Sequence, residues 1–503
     1  MSKNRVWIAA VGCFVLCFAN LIYAESAPSS TNTGAMVDVL KTLESKGVIS
    51  HQEFETLKQK VTTEAEQTAA PQLRTVAMQA EEGKAMNVVS AMDSGVGFHA
   101  GRFDIAFSGE VNGFYVHSRP DHNLANFAAA NGFAAGCDLC LIDQSPTHSE
   151  SIRSGLLPSD LSVKISTQEH GWDVAVFFGI WPAIQSSNIS SIETGALPGT
   201  LAGGTPGIDF RQNFATLGRP GFGTLKIGRD LGLLGQEAIL NDMTLLGAGS
   251  TNGNNQFPNN VTFGRIGVGY IYTDFLPQIT YTTPSIGGLQ AAASVIQPLD
   301  DPFDGFANGF NGHTGPMFQA KLTFTAPTHG PVKAKFWGNM MTQQETTPTG
   351  AFQFGANDGP RAWGVDYGAK LDFHGLSLVG YGYNGWGLGT TALLFDGIGF
   401  NADGSIDTRP SQGWYGQLTY TAGKNTFGFS YGQSNLTQLS GDGFVNVAGV
   451  PLIRNNTAYM AQYRLAVTKW DNLVAEYTHA TAENQFQVKG TSDSLAFGTI
   501  VFF

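Results

Sequence analysis

The sequence predicts an all-β protein: a transmembrane antiparallel β-barrel of about sixteen strands behind a short N-terminal helical segment. Three observations carry this expectation. After residue 24 no stretch approaches the roughly 20 apolar residues that a spanning helix needs, so a membrane protein of this composition must cross with strands. From Gly101 onward apolar and polar residues alternate with a period of two in one segment after another. The connections alternate between tight turns and long polar loops, a sorting shown by a barrel inserted from one side of a membrane but not by a sandwich.

The first 24 residues read as a secretory signal. Lys3 and Arg5 charge the start, residues 6–22 are largely apolar, and Tyr23-Ala24 precede the polar Glu25-Ser26. Cys13 follows Gly12 as in a lipoprotein cleavage site, but Ala10 stands where a large aliphatic residue is usual, so lipidation is not expected. Removing residues 1–24 takes away two basic residues and no acids, moving the formal charge from −12 to −14. Such a chain has no electrostatic reason to bind nucleic acid. Cys13 and Cys17 leave with the signal; Cys137 and Cys140 then read as a small-loop disulfide rather than a redox motif, for which a βαβ setting is missing.

Residues 25–67 form a helical segment in this reading. Val37, Leu40 and Leu43 share a helical face, Lys46-Gly47 breaks it, and Ser50-His51-Gln52-Glu53 is a capping-box pattern ahead of Phe54, Leu57 and Val61. Residues 68–100 read as a linker and 101–503 as the barrel. Its 63 glycines, 35 phenylalanines and 14% charged residues fit crowded, tilted strands with aromatic outer faces.

In the first barrel segment Phe103, Ile105, Phe107 and Val111 oppose Asp104, Ser108, Glu110 and Asn112. The same alternation places strands near 101–117, 156–168, 171–182, 206–217, 222–230, 276–284, 287–297, 315–326, 331–343, 361–373, 375–386, 412–421, 424–434, 456–467, 469–480 and 493–503. Tight turns fall at 169–171, 219–221, 285–287, 328–330, 374–375 and 422–424.

Two motifs lack the setting their chemistry requires. Gly428-Phe429-Ser430-Tyr431-Gly432 matches a nucleophile elbow, but that needs a strand, a sharp turn and a helix, and here it lies inside an alternating strand. Gly380 to Gly385 fits a dinucleotide fingerprint without a following helix. Asp300, Asp301 and Asp304, and separately Asn401, Asp403 and Asp407, read as solvated acidic loops. No metal site and no cofactor is expected.

Four segments resemble those of a known family. Residues 495–503, Leu-Ala-Phe-Gly-Thr-Ile-Val-Phe-Phe, resemble the closing strand of Gram-negative outer-membrane barrels, with Phe503 as the implied assembly signal. Residues 211–228, RQNFATLGRPGFGTLKIG, with Arg229, resemble the porin pattern in which an FGxLxxGR strand precedes the third external loop. Residues 279–289 resemble the turn that follows that loop. Residues 34–67 resemble the helical segments ahead of many porins, which implies a periplasmic or coiled-coil role; a plain helical spacer is the alternative.

The resemblance to the Gram-negative porin superfamily implies an outer-membrane, homotrimeric barrel whose third loop, about 230–274, folds inward. Glu237, Asp242 and Asp274 are then constriction candidates. The compact Pro-Glu-Phe-Gly tip of the family is not evident, and Asn-rich residues 251–260 lengthen the loop. Parity places Arg102, Lys164, Arg211, Lys226, Lys321, Lys333, Lys335, Lys370 and Arg464 on the lumen side; Arg229 joins them by motif, but its parity matches Leu225 and Ile227, so this requires a strand end or bulge near Gly228. The expected function is a water-filled passive channel for small hydrophilic solutes and ions. A solute-selective porin, or a structural barrel contacting the periplasm through 34–67, is the alternative. An enzyme would need a placed nucleophile and base that the sequence does not offer.

Overall fold

The computed structural model describes residues 89–121 except 93–94, 148–184, 208–250, 261–299, 312–313, 315–327, 330–346, 359–445 and 451–503, with a few positions in 52–59. The chain divides into units 1–87 and 88–503. In the first, residues 52, 54–56 and 58–59 are helical, inside the segment expected to be so.

In the second unit sixteen strands close an antiparallel barrel. They are β1 Phe103–Pro120, β2 Asp160–Glu169, β3 Trp172–Pro182, β4 Ile208–Arg219, β5 Gly223–Leu231, β6 Phe275–Thr282, β7 Leu289–Ile296 and β8 Met317–Thr325. The second half comprises β9 Val332–Thr346, β10 Arg361–Phe373, β11 Leu376–Trp386, β12 Pro410–Ala422, β13 Asn425–Leu436, β14 Ile453–Ala466, β15 Asp471–Asn484 and β16 Lys489–Phe502. Each expected strand has its counterpart within four residues at either end. The ring closes between β16 and β1, from Ser492 opposite Pro120 to Phe502 opposite Glu110. Beyond that ladder Phe503 exchanges both backbone hydrogen bonds with Gly109, at 3.1 and 3.0 Å.

The faces are inverted relative to a water-soluble protein. On β13 the outward Phe429 is 53% exposed, whereas the inward Ser430 is fully buried and donates to the Gly416 carbonyl. On β12 Trp414, Leu418 and Tyr420 face out while Tyr415 and Gln417 are buried inside. Strands with apolar outer faces and polar inner ones are stable only where lipid replaces water outside. Leu418→Arg is therefore expected to destabilise the barrel by about 2–4 kcal/mol if it lies near the bilayer midplane. Thr419→Arg, one residue along and facing the lumen, should cost far less; urea unfolding in vesicles compares the two.

Turn chemistry explains the short connections. His170-Gly171 and His374-Gly375 join β2 to β3 and β10 to β11 with both residues at positive φ, 50° and 78°, and 45° and 86°. These are the conformations whose twist matches paired strands. The expected turn at 328–330 lies partly outside the described residues. Strands β11 and β13 run unbroken through Gly380–Gly385 and Gly428–Gly432, so neither excluded motif has the turn and helix it would need.

Two features depart from the expected organisation. The expected linker ends in a hairpin, Val89–Ala91 with Val96–Ala100, whose second strand pairs with Phe103–Phe107 on the edge of β1 that β16 leaves open below Glu110. The upper half of the other β1 edge is taken by Ser149–Arg153, and β2 begins only at Asp160. Residues 156–159, expected in β2, are not strand. Pro158 offers no N–H to the ladder, and Leu156 instead donates to Gly247 of the third loop.

Candidate lumen constriction

The described parts of the third external loop, residues 232–250 and 261–274, turn from β5 into the barrel. Its neck is tied where the Gly232 N–H donates to the Asp274 carbonyl at 3.0 Å, with Asp274 at φ 65°. A loop inside a barrel carries backbone groups that must find partners there. Inward side chains of distant strands supply them. Gln319 on β8 accepts from the N–H groups of Leu233 and Leu234 at 2.6 and 3.0 Å. Asp366 on β10 accepts from the Gly235 N–H at 2.6 Å. Gln417 on β12 both accepts from Met243 and donates to Asn241, at 2.7 and 2.8 Å. On β14 Gln462 donates to the Met243 carbonyl at 3.0 Å, and Glu476 on β15 accepts from Gly249. The returning limb is held by Ser434, which accepts from Gly269, and by Asn456, which donates to Gly267. The loop thus lies along the inner wall from β8 to β15.

Within it, Gly235 at φ 75° starts helix α1, Gln236–Asn241, and a 3-10 turn follows at Met243–Leu246. Glu237, in the first turn of α1, accepts from Lys321 of β8 at 2.5 Å and Lys335 of β9 at 2.6 Å. Burial pushes its carboxyl up, but the two ammonium groups outweigh that and leave it below the ordinary range. A depressed pKa means the stabilisation from these bridges is complete above the ordinary value of 4.5 and is lost as pH falls through the lower folded value. The difference in ion preference between wild type and Glu237→Gln, read from reversal potentials, should therefore persist as pH falls from 7 to 4.5 and disappear only in more acidic solution.

Asp242 is fully buried and accepts from the Thr244 N–H and hydroxyl at 2.9 and 2.6 Å and from the Tyr270 hydroxyl at 2.9 Å; Arg265 stands 3.9 Å away. Burial raises its pKa, with Arg265 and the hydrogen bonds opposing. It braces the loop internally. Of the three constriction candidates, Glu237 is thus bonded to Lys321 and Lys335 of the wall, Asp242 lies inside the loop, and Asp274 sits at its neck.

The other expected cations are distributed as follows. Arg211 bonds Asp209 at 2.8 Å and lies over the rings of Trp181 and Phe275. Lys226 bonds Asp230. Glu110 and Asp160, opposite each other on β1 and β2, add two further acids, so the β1–β5 wall is mixed rather than basic. Lys164, Lys370 and Arg464 share the inward faces of Ser162, Asp366 and Gln462. Arg102 is at the barrel rim, 3.7 Å from Glu169. Arg229 does not join the basic wall: the ladders run without a bulge through Asn213–Arg229, Phe214–Gly228 and Ala215–Ile227, and the strand continues to Leu231, so it keeps the outward parity of Leu225 and Ile227 and donates to the Phe275 carbonyl. Cys137 and Cys140 lie outside the described residues. The side chains that seat the loop, Gln319, Asp366, Gln417, Gln462 and Glu476, were readable from sequence only as inward polar positions.

Comparison with known proteins agrees with this architecture. Residues 89–485 match the family model of Gram-negative porins. The outer membrane channel DcaP of Acinetobacter baumannii is 13% identical, with 82% of this chain and 99% of that one covered and a TM-score of 0.55. The anion-selective porin from Comamonas acidovorans is 12% identical over 80% of this chain and 100% of its own, with a TM-score of 0.48. No curated protein matches. With its family model covering most of the barrel, the chain belongs to the Gram-negative porins, channel proteins of the outer membrane.

Proposed function

We propose that the protein is a water-filled passive diffusion channel for small hydrophilic solutes and ions, with residues 232–274 as its constriction. The observation that carries this is the seating of that loop on inward side chains of β8, β10 and β12–β15. A loop so fixed narrows the lumen permanently, and solutes then pass by size and by the field of the remaining wall charges. The mixed β1–β5 wall, where Arg211 and Lys226 are matched by Asp209 and Asp230, favours weak ion preference over a binding site for one solute charge. Flux follows the solute gradient and needs no cofactor. On family grounds the assembled form is a homotrimer in outer-membrane lipid, with residues 1–24 removed on export, 25–67 in the periplasm and Cys137 bonded to Cys140. Swelling of vesicles carrying the folded protein tests the reading. Rates should fall smoothly as the sugar grows, whereas uptake of one solute alone would favour the selective alternative, and no swelling a closed structural barrel.

A further inference from the structure

The sixth external loop, residues 387–409, also enters the barrel. Leu388 fits against Gly364 and Gly385, inward positions of β10 and β11: a side-chain carbon added at either glycine would come within 2.4 and 2.6 Å of the Leu388 methyl. Leu388, Ala392, Leu393, Leu394 and Phe395 are all buried, in the same apolar cluster as Ile271 and Tyr272 of the third loop. The two loops are joined through the backbone. The Tyr272 N–H donates to the Thr391 carbonyl at 2.7 Å, and Leu393 donates to the Tyr272 carbonyl at 3.2 Å.

This segment is not in a relaxed conformation. Leu394 and Asp396 have φ of 70° and 56°, a left-handed backbone unfavourable for a leucine, so surrounding contacts must hold it. One holding contact comes from Arg409. Arg409, just before β12, makes two 2.8 Å bonds to Asp442 of the seventh loop, and a third, of 2.9 Å, to the Asp396 carbonyl. Asp442 also accepts from the N–H groups of Phe400 and Leu439 at 3.0 and 2.6 Å. Both side chains are almost wholly buried. A bidentate arginine–carboxylate pair with its remaining atoms satisfied is a rigid fastening.

We infer that residues 388–397 are a second size-setting element of the constriction, seated on the third loop and fastened by Arg409 and Asp442. The inference rests on the channel reading above. Breaking one partner of a buried pair leaves the other uncompensated, and the loop it held must move to rehydrate it.

The experiment compares full-length wild type with Asp442→Asn in planar bilayers and in sugar-swelling vesicles, folding being verified by heat-modifiable mobility on gels. The variant should raise single-channel conductance by roughly twofold or more and admit larger sugars, since conduction follows the open section of a wet pore. Equal conductance and an equal size limit in folded Asp442→Asn would overturn the inference. Should that variant not fold, the pair Tyr272→Cys and Ala392→Cys serves, because these positions are bridged across the two loops. Mild oxidation should join them without altering conductance, and failure to join in the folded barrel counts against the seating. A wild-type protein without any conductance would instead remove the channel reading itself.

Discussion

Deletion of Phe503 is expected to remove most of the assembled protein from the outer membrane while leaving the conductance of any barrel that forms unchanged. The two hydrogen bonds it exchanges with Gly109 form the last rung of the β16–β1 closure. Gly109 has to be glycine there, because a Cβ would come within 2.6 Å of the Phe503 ring and 2.1 Å of the Asp160 carbonyl. Two backbone hydrogen bonds contribute on the order of 1–3 kcal/mol, so the finished barrel should survive the loss. Assembly is more exposed: until β16 meets β1, both strands present unpaired edges, and every backbone group in lipid needs a partner. Quantifying heat-modifiable barrel in membranes against total protein, alongside conductance, separates the two effects. Equal assembly of wild type and deletion would contradict the account.

The second large effect concerns charge. Glu237→Gln is expected to shift the channel toward anions, because Lys321 and Lys335 would lose their shared carboxylate. A unit charge about 4 Å from a solute in water is worth ~1 kcal/mol, roughly fivefold in a permeability ratio. Asp242→Asn should leave ion preference nearly unchanged, since that side chain is enclosed by Thr244, Tyr270 and Arg265. Reversal potentials across a salt gradient distinguish them. Equal shifts from both substitutions would mean that the loop places its acids otherwise.

The barrel was legible because lipid imposes a rule on single residues. Alternation such as Leu418 out and Gln417 in recurs from strand to strand, so position along the chain assigns most faces. The inward loop was legible only as a resemblance around 211–289. Its seats were not, since Gln319, Asp366, Gln417 and Gln462 lie far from the loop in sequence and look like any lumen-facing polar residue. Parity also fails locally where registers shift. The β3–β4 ladder slips between Gly179 and Trp181, which lets Arg211 and Gln212 both reach the interior side, bonded to Asp209 and Asp230. Arg229 shows the reverse, for there parity held while the family motif needed a strand end or bulge that the continuous strand does not contain. The Arg409–Asp442 fastening joins different loops and left no sequence signal beyond two ordinary surface charges.

The central claim, that this barrel is an open passive pore narrowed by the third loop, is tested most directly by single-channel recording of the folded wild-type protein. Stepwise insertion events with a linear current–voltage relation, unaffected by millimolar sugars, are the predicted result. Silence from a sample whose heat-modifiable mobility shows a folded barrel would contradict it.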